Sequence, residues 1–327
     1  MIKQSVLEAL EAAYPDYVSG AGIARTLRVS RNAVWKAVGA LSEAGLGIAS
    51  MPGRGYRLCE APSRVSKAAI ESLLDAPDFY HIMTMAQVDS TNARLKAMAV
   101  EGAEAGTVLI AARQSAGRGR LGRAFFSPDG SGLYMSILLR PALAASDALQ
   151  LTTAAAVAVC EAIEQISHKT AHIKWVNDVL IDGLKVCGIL TEAQLSIEDG
   201  GLKWAVVGIG LNVCDPEGGF PEALDGIAGS ILGAQCEPDA RNRLAAAVLN
   251  RFERYRLTLD ARTHLAGYRA RAQLIGQRID VIRPGSTRRA LAKSIDDACG
   301  LCVRYEDGSE ETLSSGEVST VWRENRP

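Results

Sequence analysis

The chain has 327 residues, 48% of them apolar and 22% charged, with 36 Lys plus Arg against 37 Asp plus Glu. That length predicts two or three domains, since domains average roughly 100–200 residues. The net charge of −1 excludes a uniformly basic nucleic-acid coat and an acidic disordered tail, but not local charge of either sign. No apolar run approaches the roughly 18 residues needed to span a bilayer, and no signal peptide is legible, so a cytoplasmic protein without membrane contact is expected. Seven scattered cysteines do not resemble a secreted disulfide framework, and reduced thiols are expected. Cys299 and Cys302 have CxxC spacing without a second pair and read as packing residues, while His168 and His172 read as a solvated helix end.

Residues 3–13 predict a short amphipathic helix that Tyr14-Pro15-Asp16 breaks. A second helix over 20–27, the turn Arg28-Val29-Ser30 and a third helix capped by Ser30 predict a helix-turn-helix. On the third helix Val34, Val38 and Leu41 share a core face, while Arg31, Asn32, Trp35 and Lys36 face outward. Residues 20–58 hold six basic residues against the single acid Glu43. MPGRGYRL (51–58) follows as a hairpin with Arg54 at its tip, a wing. Basic charge, outward donors and a wing together predict operator DNA as partner, against the plainer reading of a solvated interaction module.

Pro62 and Ser63 begin a connector with a short helix (SKAAIESLLD). Asp89-Ser90-Thr91-Asn92 either caps the next helix or presents donors to a polar ligand head. A strand over 107–112 leads into a loop, 113–123, with four arginines and no acid. Residues 117–122 satisfy GxGxxG, but a turn and a strand follow where a dinucleotide fingerprint requires a helix. The loop therefore awaits phosphate, or contacts nucleic acid. An Ala-rich helix over 149–167 precedes the strand, corner and strand of IKWVNDVLI, and Asp182-Gly183 predicts a hairpin. Lys185 on the next strand is either outward-facing or a clamp on a carboxylate or phosphoryl oxygen, and Asp178 is a candidate magnesium ligand. A strand from Trp204 to Gly208 ends in GIGLN, whose glycines allow close ligand approach. Together these parts could hold a carboxylate and ATP in one site, so that the carboxylate attacks the α-phosphate. After a helix over about 240–259, short β-rich stretches from about residue 273 predict a small SH3-like barrel, either a stabilising cap or a border of the site.

DSTN (89–92), QSAGRGRLGR (114–123), KWVND (174–178), LKVCGIL (184–190) and GIGLN (208–212), in this order after a winged helix, resemble the bifunctional biotin–protein ligase and biotin-operon repressor family along nearly the whole chain. The resemblance implies an α+β protein: a winged helix-turn-helix domain over 1–62, a linker over 63–82, a mixed-sheet catalytic domain resembling class II aminoacyl-tRNA synthetases over 83–270, and an SH3-like domain over 271–327. It implies biotin contacts from Ser90, Thr91, Asn92, Gln114, Arg118, Gly119, Arg120, Lys185 and Gly188, with Lys185 and Arg118 catalytic. Arg120, Arg123, Lys174, Asn177 and Asn212 would serve ATP, and Asp178 Mg2+. A biotin carboxyl carrier domain as acceptor and a ligand-promoted homodimer are implied as partners. Val176 and Phe125 depart from the family's usual Pro and Trp. A lipoate–protein ligase and a non-catalytic ligand-sensing repressor are the rival readings.

Overall fold

Three helices and a two-stranded ribbon make the N-terminal unit of a computed structural model that describes residues 2–43, 46–59, 65–196, 200–283, 285–314 and 317–320. The expected boundary at Pro62 and Ser63 and the turn residue Pro284 lie outside the described residues. Helices α1 (Ile2–Ala13), α2 (Gly20–Thr26) and α3 (Arg31–Glu43) bury Leu10, Ile23, Val34, Val38 and Leu41 against one another. The Ser19 and Ser30 hydroxyls accept from Gly22 N (2.9 Å) and Ala33 N (3.1 Å), satisfying amides that a helix start leaves unpaired. Strands β1 (Ile48–Met51) and β2 (Gly55–Leu58) form the ribbon, and Val18 bonds to Tyr56 through both backbone groups at 2.9 Å. A Cβ at Gly55 would lie 2.1 Å from Val18 O, so the wing turn requires glycine there.

Helix α4 (Lys67–Glu71) is shorter than SKAAIESLLD predicts. Past it the chain is held by Asn250, which donates to Leu73 O and accepts from Asp75 N, both at 2.9 Å, so its backbone groups are satisfied without another helical turn.

The central unit is built on a seven-stranded mixed sheet of order β3-β4-β5-β9-β8-β7-β6. Its elements are β3 (His81–Val88), α5 (Thr91–Val100), β4 (Thr107–Gln114), β5 (Gly132–Leu139), α6 (Leu149–Ser167), β6 (His172–Lys174), β7 (Asp178–Ile181), β8 (Leu184–Leu195), β9 (Leu202–Asn212), α7 (Ala240–Arg256) and α8 (His264–Arg271). Only β3 and β4 pair in parallel; the remaining neighbours are antiparallel. Helix α6 is alanine-rich and buried along most of its length against the sheet and α7, whereas α5 covers the other face above Leu109, Leu138, Trp204 and Val206. Asp182 (φ 51°) and Gly183 (φ 80°) turn β7 into β8 as the hairpin signal predicts. His168 terminates α6 in the left-handed conformation.

Strand β9 does not stop at Gly208 as expected: the ladder continues through Gly208 and Gly210, which pair with Leu190 and Gly188 on β8, to Asn212. Beyond it Cys214 and Cys236 form a disulfide with Cα atoms 5.6 Å apart, contrary to the expectation of reduced thiols. The fold brings together two residues 22 apart that no spacing rule connects.

The C-terminal unit is an antiparallel five-stranded sheet, β13-β12-β11-β10-β14, made of β10 (Arg278–Arg283), β11 (Ser286–Ile295), β12 (Leu301–Tyr305), β13 (Glu310–Leu313) and β14 (Glu317–Thr320). Its buried side chains continue the central core, and Trp175 Nε1 donates to Cys299 O at 3.0 Å across the seam. Among the described residues, no helix is long and apolar enough to cross a membrane.

Candidate functional site

Two cavities lie on the side of the sheet opposite α6. The inner one, about 50 Å³, has a polar end formed by Ser90, Thr91, Asn92 and Gln114. Ser90 caps α5 by accepting from Ala93 N (3.4 Å), which sets Thr91 and Asn92 in the first turn. Gln114, at the end of β4, accepts from Thr91 N (2.8 Å) and donates to Ser127 Oγ (3.0 Å). Asn92 Nδ2 donates to Leu190 O (3.0 Å) and Glu192 Oε2 (2.9 Å), while its Oδ1 accepts from Ser136 Oγ (2.6 Å). Asn92 therefore lines the cavity with its amide committed to protein groups. Burial opposes ionisation of Glu192, but hydrogen bonds from Lys96 and Asn92 and the charges of Lys96 and Arg118 outweigh it and hold its carboxyl below the ordinary glutamate value.

The glycines of β9 line the inner cavity and at the same time make room for protein atoms. A Cβ at Gly208 would lie 2.1 Å from Asn92 Oδ1, and one at Gly210 would lie 2.6 Å from Phe125 Cε1. Phe125 thus keeps an aromatic wall where it departs from the usual tryptophan, its ring edge-on to Tyr134 with centroids 6.4 Å apart.

The outer cavity, about 330 Å³, is lined on one side by Lys174, Asn177, Asp178 and Asn212 and on the other by Phe220, Leu224 and Ile227. Its outer wall is tied to β8: Lys185 N donates to Ile227 O (2.8 Å), and Gly229 N donates to Lys185 O (3.0 Å). Asn212 Nδ2 donates to Gly229 O (3.0 Å), bracing the same wall. Val318 of β14 closes one end, so the C-terminal sheet borders the site.

Gly119, Arg120, Phe125, Asn177 and Lys185 line both cavities. At this junction Lys185 Nζ lies 2.7 Å from Asp178 Oδ1, and Arg120 Nη1 donates to Asn177 Oδ1 at 3.0 Å. Lys185 is therefore turned into the site. Arg118 lines the inner cavity only, Arg123 the outer only, and Gly188 lies on the inner wall. A ligand lying along the inner cavity with a carboxylate at its mouth meets Lys185 and Arg120 where a second anion can enter from the outer side. Asp178 is the one acid among the described residues lining the outer cavity, and no cluster of three or more His, Cys, Asp or Glu suited to a metal occurs among them.

Sequence reasoning missed Ser136, Ser127 and Glu192, which bond to the predicted residues, Lys96, which pairs with Glu192, and the apolar wall from 220 to 228. Ser136 carried a signal, the one aliphatic hydroxyl in the run LYMSILL. In the N-terminal unit Arg31, Asn32, Trp35 and Lys36 are exposed together on α3 as expected, Trp35 at 63%. Arg54 and Arg57 both lie over the Tyr17 ring, 4.9 Å from its centroid.

Three family descriptions match the chain: an HTH domain over residues 3–57, the Biotin/lipoate A/B protein ligase family over 84–212, and the Biotin protein ligase C terminal domain over 274–321. The bifunctional ligase/repressor BirA of Bacillus spizizenii is 33% identical over 321 residues, covering 96% of this chain and 97% of that protein. The biotin–[acetyl-CoA-carboxylase] ligase of Mycobacterium tuberculosis is 36% identical over 242 residues, 72% of this chain and 86% of its own length. The biotin protein ligase of Aquifex aeolicus, solved in complex with biotin and ATP, superposes with a TM-score of 0.59 at 26% identity, covering 73% of this chain and 97% of that one.

Proposed function

The chain belongs to the family of bifunctional biotin–protein ligases and repressors, and from that premise we propose how its two cavities divide the work. It is a biotin–protein ligase that joins biotin and ATP to biotinyl-5′-AMP and pyrophosphate, then transfers biotin to a lysine of a biotin carboxyl carrier domain. The observation that carries this reading is the wall shared by the two cavities, where Lys185 and Arg120 stand. Biotin occupies the inner cavity with its head at Ser90, Thr91 and Gln114. Its carboxylate reaches the junction, and ATP occupies the outer cavity.

In the first step a carboxylate oxygen attacks the α-phosphorus, and the bond to the bridging oxygen breaks as pyrophosphate leaves. Lys185 and Arg120 offset the repulsion between the two anions and stabilise the equatorial oxygens in the transition state. Binding both reactants across one wall lowers the entropic cost of their encounter. Arg118, on the inner wall, holds the arginine loop over biotin. In the second step the neutral acceptor amine attacks the acyl carbon, the bond to the phosphate oxygen breaks, AMP leaves, and the amine proton passes to solvent.

Mg2+ fits the donor set: it commonly takes one carboxylate from protein and the rest of its shell from phosphate and water, and Asp178 supplies that carboxylate beside Asn177. Such an ion would add positive charge at the triphosphate while Lys185, freed from Asp178, turns to the reacting oxygens. Lys174, Arg123 and Asn212 complete the nucleotide side. The central sheet follows the class II aminoacyl-tRNA synthetase plan, and the C-terminal strands form an SH3-like barrel at the rim of the ATP cavity.

The repressor function uses α3 in the major groove, where Arg31, Asn32, Trp35 and Lys36 meet bases and phosphates while Arg54 on the wing reaches the backbone. Adenylate binding promotes dimerisation, which sets two such units on a palindromic operator. With ATP and DNA as partners, the place of action is the cytoplasm. Full-length protein incubated with ATP, Mg2+, an acceptor domain and either biotin or lipoate tests the ligase reading. Intact mass will show one biotinyl group on the acceptor and no lipoyl group; an unmodified acceptor would leave the ligand-sensing repressor, and lipoylation the other ligase.

A further inference from the structure

The polar end of the inner cavity contains a chain of hydrogen bonds whose direction is fixed by counting protons. Leu190 O is a carbonyl and Glu192 an ionised carboxylate, so both can only accept. The Asn92 amide must turn its NH2 toward them and its oxygen toward Ser136. That oxygen also only accepts, so the single proton of Ser136 points to it at 2.6 Å. Thr91 Oγ1 has two oxygens in reach, Ser136 Oγ at 2.7 Å and Gln114 Oε1 at 3.2 Å; the shorter contact needs a proton that Ser136 has already given to Asn92, while Gln114 Oε1 is satisfied by Thr91 N at 2.8 Å, so the Thr91 proton goes to Ser136. Ser136 is fully buried, and no solvent proton can substitute. With its proton committed inward, Thr91 Oγ1 presents only lone pairs to the cavity.

The neighbouring side chain is fixed by the same logic. The Ser127 hydroxyl gives its proton to Phe125 O (2.9 Å), so it must accept from Gln114 Nε2, which leaves Gln114 Oε1 beside Thr91. Ser90 accepts from Ala93 N and keeps its own proton to donate. The cavity end therefore offers two acceptors and one donor.

We propose that Ser136, Asn92 and Glu192 are positioning residues that lock the Thr91 hydroxyl as an acceptor, so that the site selects a ligand head bearing N–H donors. Lys96 holds Glu192 as the anion that anchors the chain, through a close ion pair. The inference rests on the biotin reading above and gives it a cause: a cyclic urea brings two N–H groups and one carbonyl, whereas a dithiolane head brings neither. It also reassigns Asn92, which acts through Ser136 and Thr91 and makes no ligand contact of its own.

The test is calorimetric titration of the full-length protein with biotin and with an analogue whose ring N–H groups are replaced by oxygen. Wild type should favour biotin by at least about 100-fold, because a site built for a donor leaves its acceptors unpaired against the analogue. In Ser136→Ala the Thr91 proton turns to Gln114 Oε1 or into the cavity, and either way one of the acceptors offered to the ligand is lost. Biotin should weaken by about tenfold and the analogue hold or gain, so that the preference falls to about tenfold or less. KM for biotin should rise while kcat at saturation changes less than about twofold, since the junction at Lys185 is untouched. Glu192→Gln, nearly isosteric and partly exposed, should show the same split at smaller amplitude and decides the matter if Ser136→Ala fails to fold. Folded variants that keep the wild-type preference would overturn the inference while leaving the ligase reading intact. Failure of the wild type to bind biotin would instead overturn that reading, and this inference with it.

Discussion

In the inner cavity the polar side chains answer to other protein groups: Asn92 to Leu190, Glu192 and Ser136, and Gln114 to Thr91 and Ser127. In the outer cavity charged groups meet at the junction, Lys185 with Asp178 and Arg120 with the amide of Asn177, and face an apolar wall from a different part of the chain. A network of fully satisfied, buried hydrogen bonds is rigid and reads donor against acceptor, whereas an ion pair such as Lys185–Asp178 can exchange one partner for an incoming anion. The inner cavity is thus built to discriminate and the outer one to react.

Substitutions at the junction should break this contrast most strongly. Lys185→Ala should lower the rate of adenylate formation by about 10²–10³-fold, the usual cost of removing one preorganised electrostatic group, while biotin affinity falls less than about tenfold. Comparing Arg120→Ala with Arg118→Ala sharpens it. The residue shared by both cavities should cost kcat, and the residue on the inner wall alone should raise KM for biotin; equal kcat losses would erase the distinction.

Gly208→Ala attacks the other side of the comparison. Its Cβ would press on Asn92 Oδ1, so biotin binding should weaken by about tenfold or more while ATP binding, measured separately by calorimetry, is retained.

Acid should act on the two cavities unequally. Burial, and then the charge of Arg262, push the His264 imidazole from 6.5 down to about 4. Its folded pKa is depressed, so the stability it contributes is full above pH 6.5 and is lost as pH falls toward 4, about 2 kcal/mol of it between pH 7 and pH 5. His264 bonds to Thr153 (3.0 Å) near Cys299, whose carbonyl holds Trp175 at the outer cavity. Urea unfolding at the two pH values should show the loss, and His264→Gln should flatten it. ATP affinity should decline on acidification before biotin affinity does.

The smallest effect on either cavity should come from Lys36→Ala. Ligation should be unchanged, while operator binding weakens and the slope of log K against log salt falls by about one.

The parts legible in the sequence were those set by near neighbours. The Ser30 cap, the left-handed Asp182-Gly183 turn and the alanine-rich α6 all follow from local rules, and the structure shows them at those residues. What failed depends on contacts across the sheet. Gly208 and Gly210 do line the inner cavity, but the sequence did not show that Asn92 and Phe125, far along the chain, press against them. Asn92 lines that cavity, but its bonds to Ser136 and Glu192 could not be read from spacing. The Cys214–Cys236 disulfide and the apolar wall of the outer cavity were equally invisible, because neither has a period or a spacing.

The central claim is that carboxylate and nucleotide react across the wall the two cavities share. Exchange of labelled pyrophosphate into ATP by the full-length protein, without acceptor, tests it most directly. The account predicts exchange that requires biotin and falls by about 10²–10³-fold in Lys185→Ala while that variant still binds biotin. Exchange without biotin, or undiminished exchange in Lys185→Ala, would contradict it.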